Sequence, residues 1–142
     1  MKNLLKLLTL LCIVLGICSC KQQKAENHGN EPQAQKAMRT VSADEFEQII
    51  ADSVNVTVLD VRTQEEYDAG HLKNAQVIDV KKDSFRDECI KQLSKDKVIA
   101  VYCRSGFRSK TASNILMEDG FEVVNLDGGF NGWTAAGKEV VK

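Results

Sequence analysis

Hydrophobic and polar positions from residue 38 onward follow two patterns in turn: short apolar runs, and segments with one apolar face. The runs are rich in Val, Ile and Leu, as in buried strands, whereas the other segments have the spacing of amphipathic helices. Strands that alternate with helices predict right-handed crossovers, and therefore an α/β fold with a parallel sheet and helices on both faces. The predicted strands cover 54–59, 77–78, 97–102 and 121–126, and the predicted helices follow Ser42 and cover 65–69, 84–93, 109–118 and 130–136.

Local signals support two of these helices. Ser42 and Glu45 have the spacing of a capping box, and Val41 and Phe46 have that of a hydrophobic staple, so a helix is expected to begin after Ser42. The segment 84–93 has one apolar face, and its cysteine is expected to lie in the core. The residues of this face are Phe85, Cys89, Ile90 and Leu93.

The first twenty residues have the character of a targeting segment. Lys2 and Lys6 precede an apolar run over 7–17, which has the charge and length of a signal peptide and is too short for a transmembrane helix. The run ends in a sequence that resembles a bacterial lipobox, with the small Ser19 before Cys20. We therefore expect a signal peptide over 1–19 and a lipid on Cys20. One alternative is an uncleaved N-terminal membrane anchor. A secretory peptide without a lipid is less favoured, because no small-x-small cleavage site follows.

Residues 21–37 are polar and show no apolar periodicity, which is typical of a flexible linker. The expected organisation is a signal peptide over 1–19, a lipid-anchored Cys20 with its linker over 20–37, and a globular domain over 38–142. Such a protein would face an extracytoplasmic, periplasm-like space while its lipid binds the membrane. Lys21 stands where inner-membrane lipoproteins carry a retaining aspartate, so the sequence favours the outer membrane in a cell that has one.

Composition limits the remaining function classes. The chain has 142 residues, 43% of them hydrophobic, which suits one globular domain and excludes a disordered chain. Its formal net charge of -1 gives no basic footprint for nucleic acid. Three of the five cysteines fall in the first twenty residues, which excludes a multi-bridge disulfide scaffold. The spacing of Cys and His residues fits no metal site, and we expect no cofactor.

Candidate chemistry lies where the predicted strand 97–102 passes into a helix. Cys103 is expected at the tip of this strand, where unsatisfied backbone N–H groups at the helix N-terminus can point at its sulfur. Arg104 and Arg108 add positive charge, and Gly106 permits the sharp turn. These effects predict a pKa of Cys103 below the free value of about 8.5, and so a nucleophilic thiolate beside an anion-binding loop. Such a site suits attack on an anionic donor with a sulfur leaving group.

Three motifs resemble those of the rhodanese (thiosulfate sulfurtransferase) family and cover one whole domain, roughly 38–141. The resemblance implies a five-stranded parallel sheet and a cysteine that carries sulfur as a persulfide. It also implies that Asp60 supports the active loop and that Arg62 pairs with an acid such as Glu66. The matching residues are Cys103, Arg104, Ser105, Gly106, Phe107, Arg108 and Ser109 in the loop; Leu59, Asp60, Val61, Arg62, Glu66, Tyr67, Gly70, His71, Leu72, Asn74 and Ala75 before it; and Leu126, Asp127, Gly128, Gly129 and Trp133 after it.

Roles within the loop follow from the chemistry and the resemblance together. Cys103 is the expected nucleophile, and Arg104 and Arg108 are expected to bind the sulfur-containing anion. Ser105, Gly106 and Phe107 would bind it mainly through their backbone amides. Ser109 is expected to cap the following helix, and His71 is not expected to act as a general base, because amide dipoles already stabilise the thiolate.

The sequence therefore predicts a sulfurtransferase that moves sulfane sulfur from thiosulfate or a similar small anion to a thiophilic acceptor. A phosphatase or arsenate reductase is disfavoured, since four residues separate Cys103 from Arg108 where phosphatases of related chemistry have five. One alternative is a low-turnover module that binds persulfide or senses sulfide. Another is a thiol-redox protein that pairs Cys103 with Cys89.

Overall fold

The computed structural model describes residues 38–142. The predicted signal peptide, the lipidation at Cys20 and the linker all fall on residues 1–37, outside the described residues. Within the described part of the chain, no helix is long and apolar enough to cross a membrane.

Five parallel strands form one sheet in the order β1-β5-β4-β2-β3. The strands are β1 (Arg39–Val41), β2 (Val56–Asp60), β3 (Gln76–Val77), β4 (Val98–Tyr102) and β5 (Glu122–Leu126). The helices between and after them are α1 (Ala43–Ile50), α2 (Gln64–Ala69), α3 (Phe85–Gln92), α4 (Phe107–Glu118) and α5 (Gly129–Ala135). The predicted α/β class with a parallel sheet is confirmed.

Two hydrophobic clusters cover the two faces of the sheet. On one face, Phe85 and Cys89 of α3 and Leu116 of α4 pack against the strands. On the other, Phe46 of α1 and Trp133 of α5 do the same, with their rings edge to face. Helices therefore lie on both faces, and the central strand β4 is apolar along its length because both of its sides are covered.

Several local expectations differ from the structure. Strand β1 was not among the four predicted from the pattern, because it has only three residues and two of them are exposed at the sheet edge. Ile90, which the pattern placed on the apolar face of its helix, is 51% exposed, whereas Cys89 of the same face is buried as expected. Helix α4 begins at Phe107, two residues before the predicted start. Ser42 does accept a hydrogen bond from the Glu45 amide at the start of α1, as predicted.

Candidate active site

The loop that follows β4, residues 103–108, lies beside the end of β2. Strands β2 and β4 are neighbours in the sheet, and their last residues Asp60 and Tyr102 are paired in register. The carboxyl ends of parallel strands lie at the same end of the sheet, and this is where ligands bind in open α/β sheets. The topology thus brings Asp60 and Arg62 close to the loop, which we call the Cys103 loop.

The sulfur of Cys103 faces the amides of its own loop. The residue is only 1% exposed, yet Sγ accepts a hydrogen bond from the Gly106 amide at 3.2 Å. Gly106 has a left-handed φ of 91° and is the N-cap of α4, so the chain turns around the sulfur as the helix begins. The first-turn amides of α4 are free of intrahelical partners and available to an anion here.

The environment of Cys103 favours its ionised form. Burial raises the pKa of the thiol, but hydrogen bonds from the Ser109 hydroxyl and from the amides of Ser109, Ser105 and Gly106 lower it by more, so the pKa lies below its ordinary value. The pKa of the Arg108 guanidinium is raised, mainly by its hydrogen bonds to Glu66 and to a smaller extent by the negative charge of Cys103. Backbone amides and one hydroxyl are therefore the main source of the lowered pKa of Cys103.

Ser109 does not cap α4, contrary to the expectation from the sequence. It lies in the first turn of the helix rather than at its N-cap, because α4 starts earlier than predicted, and it is fully buried. Its hydroxyl donates to the Gly106 carbonyl at 3.1 Å and is also close enough to the Cys103 sulfur to lower its pKa. A hydroxyl group donates one hydrogen bond at a time, so the Cys103 thiolate and the Gly106 carbonyl compete for the hydroxyl proton of Ser109.

The start of α5 contacts the Cys103 loop from behind. The Phe130 amide donates to the Cys103 carbonyl at 2.7 Å, and the Asn131 amide donates to the Arg104 carbonyl at 3.0 Å. Gly129 packs so tightly that an added Cβ would lie 2.5 Å from the Cys103 oxygen. Because these carbonyls point toward α5, the amides of the loop are left to face the sulfur. The glycines before Phe130 matched a motif in the sequence, but this role was missed.

The two arginines of the loop have different surroundings. The Arg108 guanidinium makes two hydrogen bonds of 2.7 Å to the two carboxylate oxygens of Glu66 on α2. These bonds hold the pKa of Glu66 at about 2, well below its usual range. The Arg104 side chain is exposed to solvent. Arg108, predicted as an anion ligand, is thus paired with a carboxylate in this structure.

Asp60 and Arg62 form a buried ion pair. The Asp60 carboxylate accepts from both the backbone amide and the guanidinium of Arg62, with the shortest bond at 2.6 Å. Arg62 thus pairs with an acid, as expected, but that acid is Asp60 and not Glu66, which was given as the example and is bound to Arg108. Arg62 also donates to the Gly70 carbonyl and lies 4.2 Å from the Phe130 ring centroid. The pair thus supports Phe130, whose amide binds the Cys103 carbonyl.

The remaining candidates lie apart from this sulfur environment or at its surface. His71 stacks on the Tyr67 ring, and its Nδ1 is 3.0 Å from the Tyr67 carbonyl. Cys89 is a free thiol in the same hydrophobic cluster as Cys103, and burial raises its pKa to about 12. Phe107, by contrast, is 79% exposed at the first position of α4.

A family model and two solved structures, compared separately with this chain, agree on the family and on the fold. The model of the family described as "Rhodanese-like domain" matches residues 42–136. A rhodanese-related protein from Thermoplasma volcanium has 31% identity and a TM-score of 0.61, over 72% of this chain and 97% of that one. A rhodanese-like domain protein from Staphylococcus aureus has 30% identity and a TM-score of 0.60, over 68% of this chain and 91% of that one.

Curated relatives carry a different name. A Cytophaga hutchinsonii protein named tRNA uridine(34) hydroxylase is 45% identical over 83 residues, which is 55% of this chain and 26% of that protein. A Yersinia enterocolitica protein of the same name is 33% identical over 105 residues, 70% of this chain and 29% of that protein. The chain therefore spans between a quarter and a third of the length of these relatives.

Proposed function

The chain belongs to the rhodanese-like domain family, and we propose that it is a sulfurtransferase that carries sulfane sulfur as a persulfide on Cys103. The observation that carries this proposal is the Sγ atom of Cys103, which accepts a hydrogen bond from the Gly106 amide in a loop that lowers its pKa. A thiolate of this kind is a ready nucleophile, and amides that stabilise it can stabilise a terminal persulfide in the same way.

The reaction takes two half-steps. In the first, the Cys103 thiolate attacks the outer sulfur of thiosulfate or a similar donor, the S–S bond of the donor breaks, and sulfite leaves with the bonding electron pair. In the second, a thiophilic acceptor such as cyanide attacks the outer sulfur of the persulfide and regenerates the thiolate. Atoms and charge balance in each step, and covalent catalysis of this form gives ping-pong kinetics.

Each group of the site has a distinct part in this scheme. The amides of Ser105, Gly106 and Ser109 stabilise the anionic sulfur, while α5 fixes the loop carbonyls on the opposite side. The Asp60–Arg62 pair supports this arrangement through Phe130. Arg104, exposed at the loop, is available to the sulfonate end of a donor.

The test is formation of a persulfide and its turnover. The purified chain is expected to gain the mass of one sulfur atom on Cys103 after exposure to thiosulfate, and to form thiocyanate when cyanide is added. Cys103→Ser should lose both signals, whereas Cys89→Ala, which removes the other described thiol, should retain them. Absence of both signals with several donors would contradict the proposal. A stable persulfide without turnover would favour a binding or sensing module, and a Cys89–Cys103 cross-link in oxidised digests would favour a redox protein.

The curated relatives are named tRNA uridine(34) hydroxylase, but the region that matches this chain is less than a third of each of them. The formal net charge of -1 also gives no excess of positive charge for a nucleic-acid backbone.

We also propose that the protein is attached to an extracytoplasmic membrane surface by a lipid on Cys20. The support is the charged and apolar pattern of the first twenty residues and its lipobox-like end. Incorporation of a labelled fatty acid into the expressed chain, and its loss in Cys20→Ala, would be the expected result. An unlabelled chain that is still membrane-bound would indicate an uncleaved anchor instead.

A further inference from the structure

Residues 138–142 follow α5 and cross back over the end of α2, and we call them the C-terminal strap. Val141 of the strap forms an antiparallel bridge with His71, with both backbone hydrogen bonds at 2.9 Å. The ring nitrogen of Trp133 on α5 donates to the Glu139 carbonyl at 2.8 Å. The strap is therefore bound at one end to α5, the helix that contacts the Cys103 loop, and at the other to the residue just after α2.

Val140 of the strap packs at the point where α2 ends. An added Cβ on Gly70 would lie 3.0 Å from Val140 Cγ1 and 3.7 Å from Phe130 Cζ, so both side chains cover the same face of Gly70. Val140 and Phe130 also belong to the same hydrophobic cluster, on the α1 and α5 side of the sheet. Val140 thus closes one side of the space that the Phe130 ring occupies.

The other sides of the Phe130 ring are formed by a cation and a second ring. The Arg62 guanidinium lies 4.2 Å from the ring centroid, and the Tyr102 ring is stacked at a centroid distance of 6.5 Å. Arg62 in turn donates to the Gly70 carbonyl at 2.8 Å. A displacement of the strap would therefore reach Phe130 directly through Val140 and indirectly through Gly70 and Arg62.

The backbone of Phe130 connects this packing to the nucleophile. Its amide donates to the Cys103 carbonyl at 2.7 Å, and this bond keeps the carbonyl turned away from the sulfur. Helix α5 has only seven residues, so the packing of its side chains largely decides where its first turn lies. A side chain that fixes the Phe130 ring therefore also fixes the donor to the Cys103 carbonyl.

We propose that Val140 is a positioning residue for the reaction of Cys103, and that the C-terminal strap is the element that holds it in place. The inference rests on the function proposed above. With the strap bound, the Phe130 ring is enclosed and its amide stays on the Cys103 carbonyl. Glu139 and Lys142 of the strap are exposed, and a surface segment opens locally more readily than the strands of the core. When the strap opens, α5 can shift and the amides around the sulfur lose their alignment.

The pH dependence of Cys103 alkylation by iodoacetamide tests the inference in the full chain without any sulfur donor. The reaction is followed by mass spectrometry on the peptide that contains Cys103. Val140→Ala is expected to move the alkylation midpoint to higher pH by about half a unit, because donors that are less well aligned stabilise the thiolate less. Persulfidation by thiosulfate below the midpoint should then slow by about twofold. The thiolate fraction falls about threefold, and the greater nucleophilicity of a more basic sulfur recovers part of that loss.

Val56→Ala is the matched control. Val56 is also partly buried against the same hydrophobic cluster, but it begins β2 and so lies at the opposite end of the sheet from the Cys103 loop. Both variants remove the same part of a valine side chain and are expected to lower the free energy of unfolding to a similar extent, measured with urea. The alkylation midpoint of Val56→Ala should stay at the wild-type value.

Phe130→Leu tests the route by which Val140 acts. It removes the ring and keeps the backbone amide that binds the Cys103 carbonyl. If Val140 acts through the Phe130 ring, the double variant should have the alkylation midpoint of Phe130→Leu alone. Midpoint shifts that add in the double variant would overturn this route.

Two results would overturn the inference and leave the proposed function intact. One is a wild-type midpoint in Val140→Ala together with the same loss of stability as in Val56→Ala, which would make the strap a purely stabilising element. The other is an equal midpoint shift in these two variants. Should Val140→Ala not fold, Val141→Pro, which removes the amide that donates to His71, tests the same inference, and a wild-type midpoint there would contradict it. The proposed function fails on a separate result, the absence of a Cys103 persulfide with every donor.

Discussion

Replacement of Gly129 by alanine tests whether α5 positions the amides around the sulfur. Gly129 has a left-handed φ of 57°, and a Cβ there would lie 2.5 Å from the Cys103 carbonyl oxygen and 2.9 Å from the Gly106 amide nitrogen. Both neighbours are backbone atoms, so no side-chain rotation can make room. Either α5 or the Cys103 loop has to move.

Gly137 provides a control, because it also has a left-handed φ but an added Cβ there would not collide with any neighbouring atom. Its φ is 71°, and an added Cβ meets no atom within 4 Å. Gly137→Ala should therefore lower the free energy of unfolding by about 1 kcal/mol, the strain of a left-handed alanine. Gly129→Ala should lower it by that amount and by a further 1–3 kcal/mol or so, the usual range for overpacking. The difference between the two variants isolates the contact with the loop.

The consequence for chemistry is an increase in the pKa of Cys103. A shift of the Cys103 carbonyl or the Gly106 amide moves the donors that lower this pKa. Urea unfolding measures the stability of both variants, and the pH dependence of alkylation by iodoacetamide measures the thiol. We expect the alkylation midpoint of Gly129→Ala to move to higher pH and that of Gly137→Ala to stay near wild type. Equal stabilities and equal midpoints in the two variants would refute the reasoning.

Two further predictions concern the ion pairs around the loop. The pKa of Glu66 is about 2 in the folded chain against an ordinary value of 4.5, so its pairing contributes stability that is present above pH 4.5 and lost as the pH falls toward 2. Unfolding measured between about pH 6 and pH 2.5 should show a loss of about 2 kcal/mol that is missing in Glu66→Gln; the same loss in both chains would contradict this origin. Arg62→Met leaves Asp60 buried without its partner and should lower stability by about 3–5 kcal/mol, whereas Arg86→Met, at an exposed pair, should change it by less than about 1 kcal/mol. Similar losses of stability in these two variants would show that the buried pair contributes no more to the free energy of unfolding than the exposed pair does.

Much of the sheet could be predicted from the sequence because its central strands are continuous apolar runs. The predicted strand 97–102 differs from β4 by one residue, and 121–126 differs from β5 by one. Strand β1 escaped the same reasoning, since Arg39 and Thr40 are exposed and only pairing with β5 defines the strand. Ile90 shows the opposite error, because its place on a helix with apolar neighbours did not reveal that this part of the helix surface stays in solvent.

The Cys103 loop could be anticipated because its chemistry is local. A cysteine between an apolar strand and a helix start needs only the backbone of the next few residues to meet amide donors. The partners of the arginines could not be derived in this way. Arg108 and Glu66 are 42 positions apart, and their contact depends on how α2 and α4 lie over neighbouring strands. The resemblance therefore suggested only an acid for Arg62, with Glu66 as an example, whereas the acid that pairs with it is Asp60, two residues away.

The position of β4 in the middle of the sheet has a consequence for local opening of the domain. Strands β1 and β3 are the edges and are short, so their amides are expected to exchange with deuterated water through brief fraying. Such fraying leaves β4 bonded to β2 on one side and to β5 on the other. The amides of β4, the strand that leads to the reactive Cys103, are therefore expected to exchange only when the whole domain unfolds. Insertions or substitutions in β1 or β3 are expected to leave this slow exchange of β4 unchanged.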